Sequence, residues 1–285
     1  MIIYDRKNGY IEEIEYLDGL LRFLYNTIIG RIILKNIVIK PWFSQKRGDY
    51  YNSEKSKKDI LPFIKKNNID ISEWNIADFN SFNEFFRRKK EIKIDNLERE
   101  LISIADSKLS VFDISDNLIL NIKKSVYNIE DIVNNKEISE KYRNGTCLVF
   151  RLGVDDYHRY IYLDNGCIIE NYKVSGELHT VRSISDKYNV FSRNSREISI
   201  LRTEHLGDVV QIEVGALLVG AIKNNNKQEF IRGEEKGYFE YGGSTIVLLL
   251  EDGKIVIDED IIEQSKQGIE TKVSIGEKIG VVLGG

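Results

Sequence analysis

Seven residues near the C-terminal end, Ser244-Thr-Ile-Val-Leu-Leu-Leu250, leave this chain few ways to fold. From Ile246 to Leu250 no polar side chain interrupts the run, which marks a strand buried in the protein rather than one with a face in water. Gly242 and Gly243 come directly before it. Such a Gly-Gly-Ser-Thr segment is ordinarily a plain turn into a strand. The same residues also have a chemical use. Glycine peptides tolerate strained dihedrals, so the Ser244 hydroxyl could be brought against a carbonyl of its own backbone.

Other short strands precede it. Ile102–Asp106, Leu109–Phe112, Leu118–Ile122, Cys147–Leu152, Ile168–Ile169 and Ile212–Val214 follow one another at regular intervals, with one helix expected at Ile129–Val133. Residues 1 to about 100 have a different texture. Leu17, Leu20, Leu21, Leu24, Ile28 and Ile29 recur at helical spacing, and Ile32, Ile33 and Leu34 continue the run. Phe82, Phe85 and Phe86 share one helical face in Asn80-Ser-Phe-Asn-Glu-Phe-Phe-Arg-Arg88. The expectation is an α+β protein: a helical N-terminal region over residues 1–100, then a mostly β, barrel- or sandwich-like domain over 101–285.

Charge is distributed unevenly. From Leu20 to Lys66 there are 11 Lys and Arg against 3 acids, although the whole chain is at −4. A basic, apolar segment suits an anionic surface. Its helix reads either as packed on a core of its own or as lying in a membrane interface with its cations on anionic head groups, and for a lipid-handling protein both can hold on different faces. Lys55 to Lys66 reads as a solvated helix surface. Nucleic acid is not the expected partner, because no recognised module or aromatic stacking platform accompanies the charge. Met1-Ile-Ile-Tyr-Asp5 places an acid where a secretory signal needs an apolar core. Arg22, Arg31, Lys35 and Lys40 interrupt the most apolar window, so no spanning helix is expected either. Cys147 and Cys167 lack metal-ligand spacing and read as reduced thiols. No metal site is expected.

Tyr238-Phe-Glu-Tyr-Gly-Gly-Ser-Thr-Ile-Val-Leu-Leu249 resembles the processing site of the phosphatidylserine decarboxylase family, whose motif is Gly-Ser-Thr with Leu or Gly commonly ahead of it. The Phe82–Phe86 segment is similar to the family's Phe-Asn-(Asp/Glu)-Phe-Phe. Asp155-Asp-Tyr-His-Arg-Tyr160 resembles its Asp-Tyr-His-Arg run, and Ile104-Ala-Asp-Ser-Lys108 an Ala-Asp-Gly-like segment with Ser107 in place of glycine. Arg143–Thr146, Phe191–Glu197 and Val209–Gly220 complete a likeness that covers nearly the whole chain.

The resemblance implies a proenzyme that cuts itself between Gly243 and Ser244. Ser244 becomes a covalent pyruvoyl group, which decarboxylates phosphatidylserine to phosphatidylethanolamine through a Schiff base, with no added cofactor. It also implies that Asp106 orients the processing histidine and that His158 returns a proton to the substrate. Many family members carry a second histidine three residues after the first; here that position is Ile161, which cannot take a proton. The processing base is therefore His158 or His179, the latter in Gly176-Glu-Leu-His-Thr-Val181. His205 reads as structural, and Arg193 and Arg196 as solvated more readily than phosphate-binding. Gly215 would permit a close backbone approach to the active centre. The implied setting is the cytoplasmic face of the cell membrane, with peripheral attachment to anionic phospholipid and the two self-cleaved chains remaining associated; homo-oligomerisation is left open. The alternatives are a pyruvoyl decarboxylase of a soluble amino acid or another serine lipid, and a non-catalytic relative that binds a membrane or a partner.

Overall fold

The computed structural model describes residues 1–13, 18–94, 99–122, 125–217, 221–225, 227–242 and 244–283. Leu17, Gly220 and Gly243, which figure in the sequence reading, lie outside these residues. The chain opens with a hairpin, β1 (Ile2–Asp5) and β2 (Gly9–Glu12), turned at Gly9 with φ of 77°. This differs from the helical start expected. Residues 2–4 and 10–11 are apolar or aromatic, and they complete a sheet whose other strands lie far along the chain, which local spacing does not reveal.

Helices follow: α1 (Asp18–Asn26), α2 (Ile28–Ile33), α3 (Pro41–Tyr51), α4 (Ile60–Asn67) and α5 (Phe82–Phe86). The apolar run expected to be one helix breaks at Thr27. Its backbone is extended and its Oγ1 accepts from Gly30 N at 2.9 Å, the arrangement of an N-cap. A Cβ on Gly30 would fall 2.0 Å from the Phe23 carbonyl oxygen, so glycine permits the sharp turn between α1 and α2. Leu21, Leu24, Tyr25, Leu34, Val38 and Ile39 bury one side of these helices.

Beyond them come β3 (Glu100–Ile102), β4 (Ser107–Asp113), β5 (Ile119–Ile122), β6 (Ser125–Asn128), α6 (Ile129–Val133) and α7 (Lys136–Ser139). Then come β7 (Thr146–Leu152), β8 (Arg159–Ile161), β9 (Gly166–Val174), α8 (Val190–Arg193), β10 (Arg196–Thr203) and β11 (Asp208–Val214). The chain continues through β12 (Ile222–Asn224), β13 (Glu229–Phe230), β14 (Glu235–Phe239), β15 (Ser244–Leu250) and β16 (Ile255–Ile257). It ends with α9 (Glu259–Lys266), β17 (Glu270–Val273) and β18 (Lys278–Val282). The fold is α+β, as the sequence implied.

Ten strands form the largest sheet, in the order β13-β9-β10-β11-β15-β7-β4-β17-β1-β2. Its pairings are antiparallel except β1 with β17. The apolar run is β15, held between β11 and β7 with all seven residues buried. Ile246, Leu248 and Leu250 face a core with Leu109, Phe150 and Val209. Val247 and Leu249 face a second core with Val149, Ile198 and Ile212. Two cores, one on each side of the sheet, explain why the run shows no polar alternation, and each aliphatic side chain contributes about 1.5–3 kcal/mol by burial. Two three-stranded sheets, β12-β14-β8 and β16-β18-β3, lie beside the large one. Cys147 and Cys167 carry free thiols.

Candidate functional site

The site forms where two strands that are neighbours in the large sheet meet two that are neighbours in a small one. Ser244, the first residue of β15, stands opposite Leu152, the last of β7. After Leu152 the chain loops and returns as β8, led by His158; β8 pairs with β14, which runs back toward Ser244. Phe239 N donates to the His158 carbonyl at 2.9 Å, closing the loop on itself. Strand alternation puts Ser244 on the same face as Ile246 and Leu248, the face whose core includes Tyr157, Tyr160 and Phe239. His158 sits among those residues in the chain.

Both side chains are fully enclosed. Ser244 and His158 are each 0% exposed, and neither Ser244 Oγ nor His158 Nε2 has a hydrogen-bond partner among the described residues. Leaving a buried polar atom unpaired costs roughly 1–3 kcal/mol, so such atoms point to a chemical role. His158 Nδ1 lies 2.9 Å from the Asp156 carbonyl, which can only accept. Nδ1 therefore carries the proton of the neutral ring, and Nε2 keeps its lone pair. The Phe86 ring lies over the imidazole with centroids 4.3 Å apart. Burial pushes the His158 pKa down to about 4, which keeps the ring neutral and basic at physiological pH.

Tyr241 and Gly242 come just ahead of the Gly243-Ser244 pair. Tyr241 packs among Tyr51, Phe63, Phe82 and Phe86. Gly242 has φ of 138°, a left-handed value that disfavours any side chain.

The remaining sequence candidates stand elsewhere or are otherwise engaged. Asp106 receives Lys90 Nζ at 2.5 Å and Ile275 N at 2.7 Å, and among the described residues it makes no hydrogen bond to His158. His179 has both ring nitrogens occupied: Nδ1 lies 3.1 Å from Tyr25 Oη and Nε2 3.3 Å from Glu177 Oε2, with Tyr188 stacked on the ring. Burial lowers its pKa against the pull of Glu177. His179 thereby ties α1 to the strands. Ile161 is buried in β8. His205 binds Asp164 through both its backbone N, at 2.8 Å, and Nδ1, at 3.0 Å. The Arg196 guanidinium donates to the carbonyls of Asp131, Ile132, Ser192 and Asn194, and Arg193 pairs with Glu177.

A charged group close to the site had no signal in the spacing. Asp156 accepts from Lys108 Nζ at 2.7 Å and Gly153 N at 2.6 Å, and burial pushes its pKa up to about 6 despite the lysine. Lys108 also reaches Glu13 at 3.3 Å, and Arg151, opposite Thr245 in the ladder, binds both Glu13 and Glu270. A cleft of about 510 Å³ is lined by Gly48, Asn52, Leu178, Gly215, Lys223 and Glu240, and Glu240 stands four residues before Ser244 in the chain. Among the described residues no cluster of three or more His, Cys, Asp or Glu is arranged to hold a metal ion.

Comparison with known proteins gives a consistent picture. The family model described as phosphatidylserine decarboxylase matches residues 79–281. The chain is similar to phosphatidylserine decarboxylase proenzyme 2 of Clostridium acetobutylicum, 49% identical over 280 residues, which cover 97% of this chain and 96% of that protein. It is 40% identical over 293 residues to the phosphatidylserine decarboxylase proenzyme of Clostridium novyi, covering 99% of each. The Desulfitobacterium hafniense proenzyme of the same description is 39% identical over 290 residues, 98% of this chain and 97% of that protein.

Proposed function

The chain belongs to the phosphatidylserine decarboxylase family, and from that premise we propose that it cuts its own backbone between Gly243 and Ser244 and uses the pyruvoyl group so formed to convert phosphatidylserine to phosphatidylethanolamine. The observation that carries the reading is the pair of enclosed atoms, Ser244 Oγ and His158 Nε2, that have no hydrogen-bond partner among the described residues, together with Gly242 held at positive φ. His158 Nε2 takes the hydroxyl proton as Ser244 Oγ attacks the carbonyl carbon of Gly243, then passes it to the departing peptide nitrogen. The C–N bond breaks, leaving a free amine on residue 244 and an ester in place of the amide. Removal of the α-proton of residue 244 then expels the upstream carboxylate and leaves dehydroalanine. Addition of water and loss of ammonia convert it to the ketone.

Once formed, the pyruvoyl carbonyl supplies an electrophile for the substrate amine and draws electrons from the departing carboxylate. The protein's own residues do the rest. His158 is the group we assign to returning a proton to the substrate carbon, and its enclosure by Phe86 limits competition from water. The 510 Å³ cleft beside Gly215 and Glu240 is the proposed access path for the head group.

A lipid substrate is supported by the outer side of the N-terminal helices. Leu20, Phe23, Ile28, Ile29, Ile32, Ile37 and Trp42 are each at least 40% exposed, with Arg31, Lys35 and Lys46 exposed among them. Apolar side chains flanked by cations suit the head-group boundary of an anionic bilayer. Among the described residues no helix is long and apolar enough to cross a membrane.

Denaturing electrophoresis and intact mass of the purified protein test the proposal. The expected products are residues 1–243 and a pyruvoyl-bearing 244–285, with Ser244→Ala remaining one inactive chain. Carbon dioxide release from phosphatidylserine vesicles, and none from free serine, is expected to follow the cut protein. An uncut chain with an ordinary serine at 244 that still turns over substrate would overturn the mechanism.

A further inference from the structure

Three consecutive backbone amides ahead of the cleavage site are anchored to three distant segments. Phe239 N donates to the His158 carbonyl at 2.9 Å and Glu240 N to the Ala221 carbonyl at 3.0 Å. The third, Tyr241 N, donates to a side chain: Asn83 Oδ1, at 3.1 Å. Asn83 is 1% exposed, and its Nδ2 donates to Asn52 Oδ1 at 3.1 Å, which sets which end of the amide faces Tyr241. We propose that Asn83 is a positioning residue for self-cleavage, holding the upstream end of the Gly242-Gly243 segment so that the carbonyl of residue 243 is presented to Ser244.

This rests on the reading that the chain cuts itself at 243–244. On the downstream side Ser244 is fixed against Leu152, and Thr245 against Val214 and Arg151, through the sheet ladders. On the upstream side the last fixed point is Tyr241. Between the two fixed ends lie Gly242 and Gly243, and Gly242 takes up the mismatch at φ of 138°. Releasing Tyr241 N would let that segment relax away from the geometry of attack. Among the described residues no sheet ladder includes Tyr241, so the Asn83 amide fixes the backbone there while the surrounding aromatic rings hold the side chain.

The helix that carries Asn83 also touches the base. Asn83 is one turn before Phe86 on α5, and Phe86 lies on the His158 ring. Ser81 Oγ caps this helix by accepting from Glu84 N at 3.2 Å. A single short helix thus sets both the strained peptide and the imidazole, which makes their relative placement insensitive to motions of the loops between them.

The test uses three substitutions. Asn83→Ala and Asn83→Leu remove the acceptor, whereas Asn83→Asp keeps an oxygen toward Tyr241 N and can accept from a turned Asn52 amide. In full-length protein from cell-free synthesis, followed by electrophoresis over time, cleavage is expected to slow about ten- to a hundredfold in the Ala and Leu variants. Asn83→Asp is expected to recover to within about threefold of wild type, a rescue that lost packing alone would not produce. Hydrogen exchange of the Tyr241 amide, measured in the Ser244→Ala background where no cut can occur, is expected to accelerate with Asn83→Ala and Asn83→Leu and not with Asn83→Asp. Wild-type exchange at Tyr241 in the folded Ala variant, or Ala and Leu variants that cleave at the wild-type rate, would overturn the assignment. Failure of the self-cleavage reading has a separate signature, an uncut wild-type chain, while the exchange measurement still judges the contact.

Discussion

Burial opposes charge on the His158 imidazole, and the Asp156 carbonyl takes up its only proton, so the ring is a neutral base over an unusually wide range. The sign of the pH effect follows. Unfolded His158 binds a proton near pH 6.5 and the folded residue only near 4, so this residue withdraws stability as pH falls between those values, by about 3 kcal/mol. Asp156 acts in the opposite direction: folded, it protonates near 6, against 3.8 unfolded, and it adds stability as pH falls through that window. In an NMR titration of the three histidines, the His158 ring is expected to shift with a midpoint near 4. A midpoint near 6.5 would mean that the ring is solvated and the proposed base misassigned. His158→Ala is expected to lower decarboxylation per protein at least about a hundredfold, within the usual range for losing a general acid or base, as read by carbon dioxide release. Ser244 and His158 stood out as candidates in the chain because their neighbours in sequence carry the pattern. The surroundings of Asp106 could not: Lys90 and the Ile275 amide reach it from 16 and 169 residues away, and only the folded chain shows which group a carboxylate meets.

At the scale of elements, spacing was informative wherever one helix or strand acts alone. The helix Ile129–Val133 and the strand ending at Leu152 fall where their residues implied. It failed where a single side chain redirects the backbone, as Thr27 does in dividing the N-terminal run into α1 and α2. That break has a consequence at the surface. It turns Ile28, Ile29 and Ile32 outward, at 71%, 66% and 59% exposure, instead of continuing the buried stripe of α1. Exposed aliphatics of this kind contribute nothing to the core, so replacing them tests the lipid surface with little effect on folding. The double variant Ile28→Asp, Ile32→Asp is expected to lose at least about tenfold in affinity for vesicles containing phosphatidylserine, since it removes two apolar insertions and adds two anions. Cosedimentation measures the binding, and thermal melting confirms that the fold is kept. Equal cosedimentation of variant and wild type would move the lipid contact to another face.

For the whole molecule, the proposed cut raises the question of what would hold residues 244–285 in place after it. That segment supplies β15 at the centre of the large sheet, β17 between β4 and β1, and β18 beside β3. Ladders and two cores therefore bind it along much of its length. Among the described residues, charged contacts cross between the segments at Arg6, at Arg151 and at Asp5, which Lys272 Nζ approaches to 3.3 Å, and the surroundings of the first two separate them. Arg6 meets Asp258, Asp260 and Glu277 with its side chain 21% exposed, where screening limits each pair to about 0–1 kcal/mol. Arg151 meets Glu270 at 2.5 Å with side chains 8% and 6% exposed, and Glu13 of the N-terminal segment completes the group. Burial pulls the Arg151 pKa down, but Glu270 and Glu13 outweigh it and hold the guanidinium above its ordinary value. Removing Glu270 leaves the buried guanidinium with Glu13 as its remaining carboxylate partner, so Glu270→Ala is expected to destabilise the protein by about 3 kcal/mol, the low end for breaking a buried pair, measured by urea unfolding. Arg6→Ala should cost about 1 kcal/mol or less per pair broken. The sequence contained no sign of this group, because its members come from positions 13, 151 and 270 and meet only when β7, β4, β17 and the N-terminal hairpin assemble in one sheet. A loss below about 1 kcal/mol for Glu270→Ala would show that ladder and core alone retain the shorter chain, with the buried pair only offsetting its own desolvation.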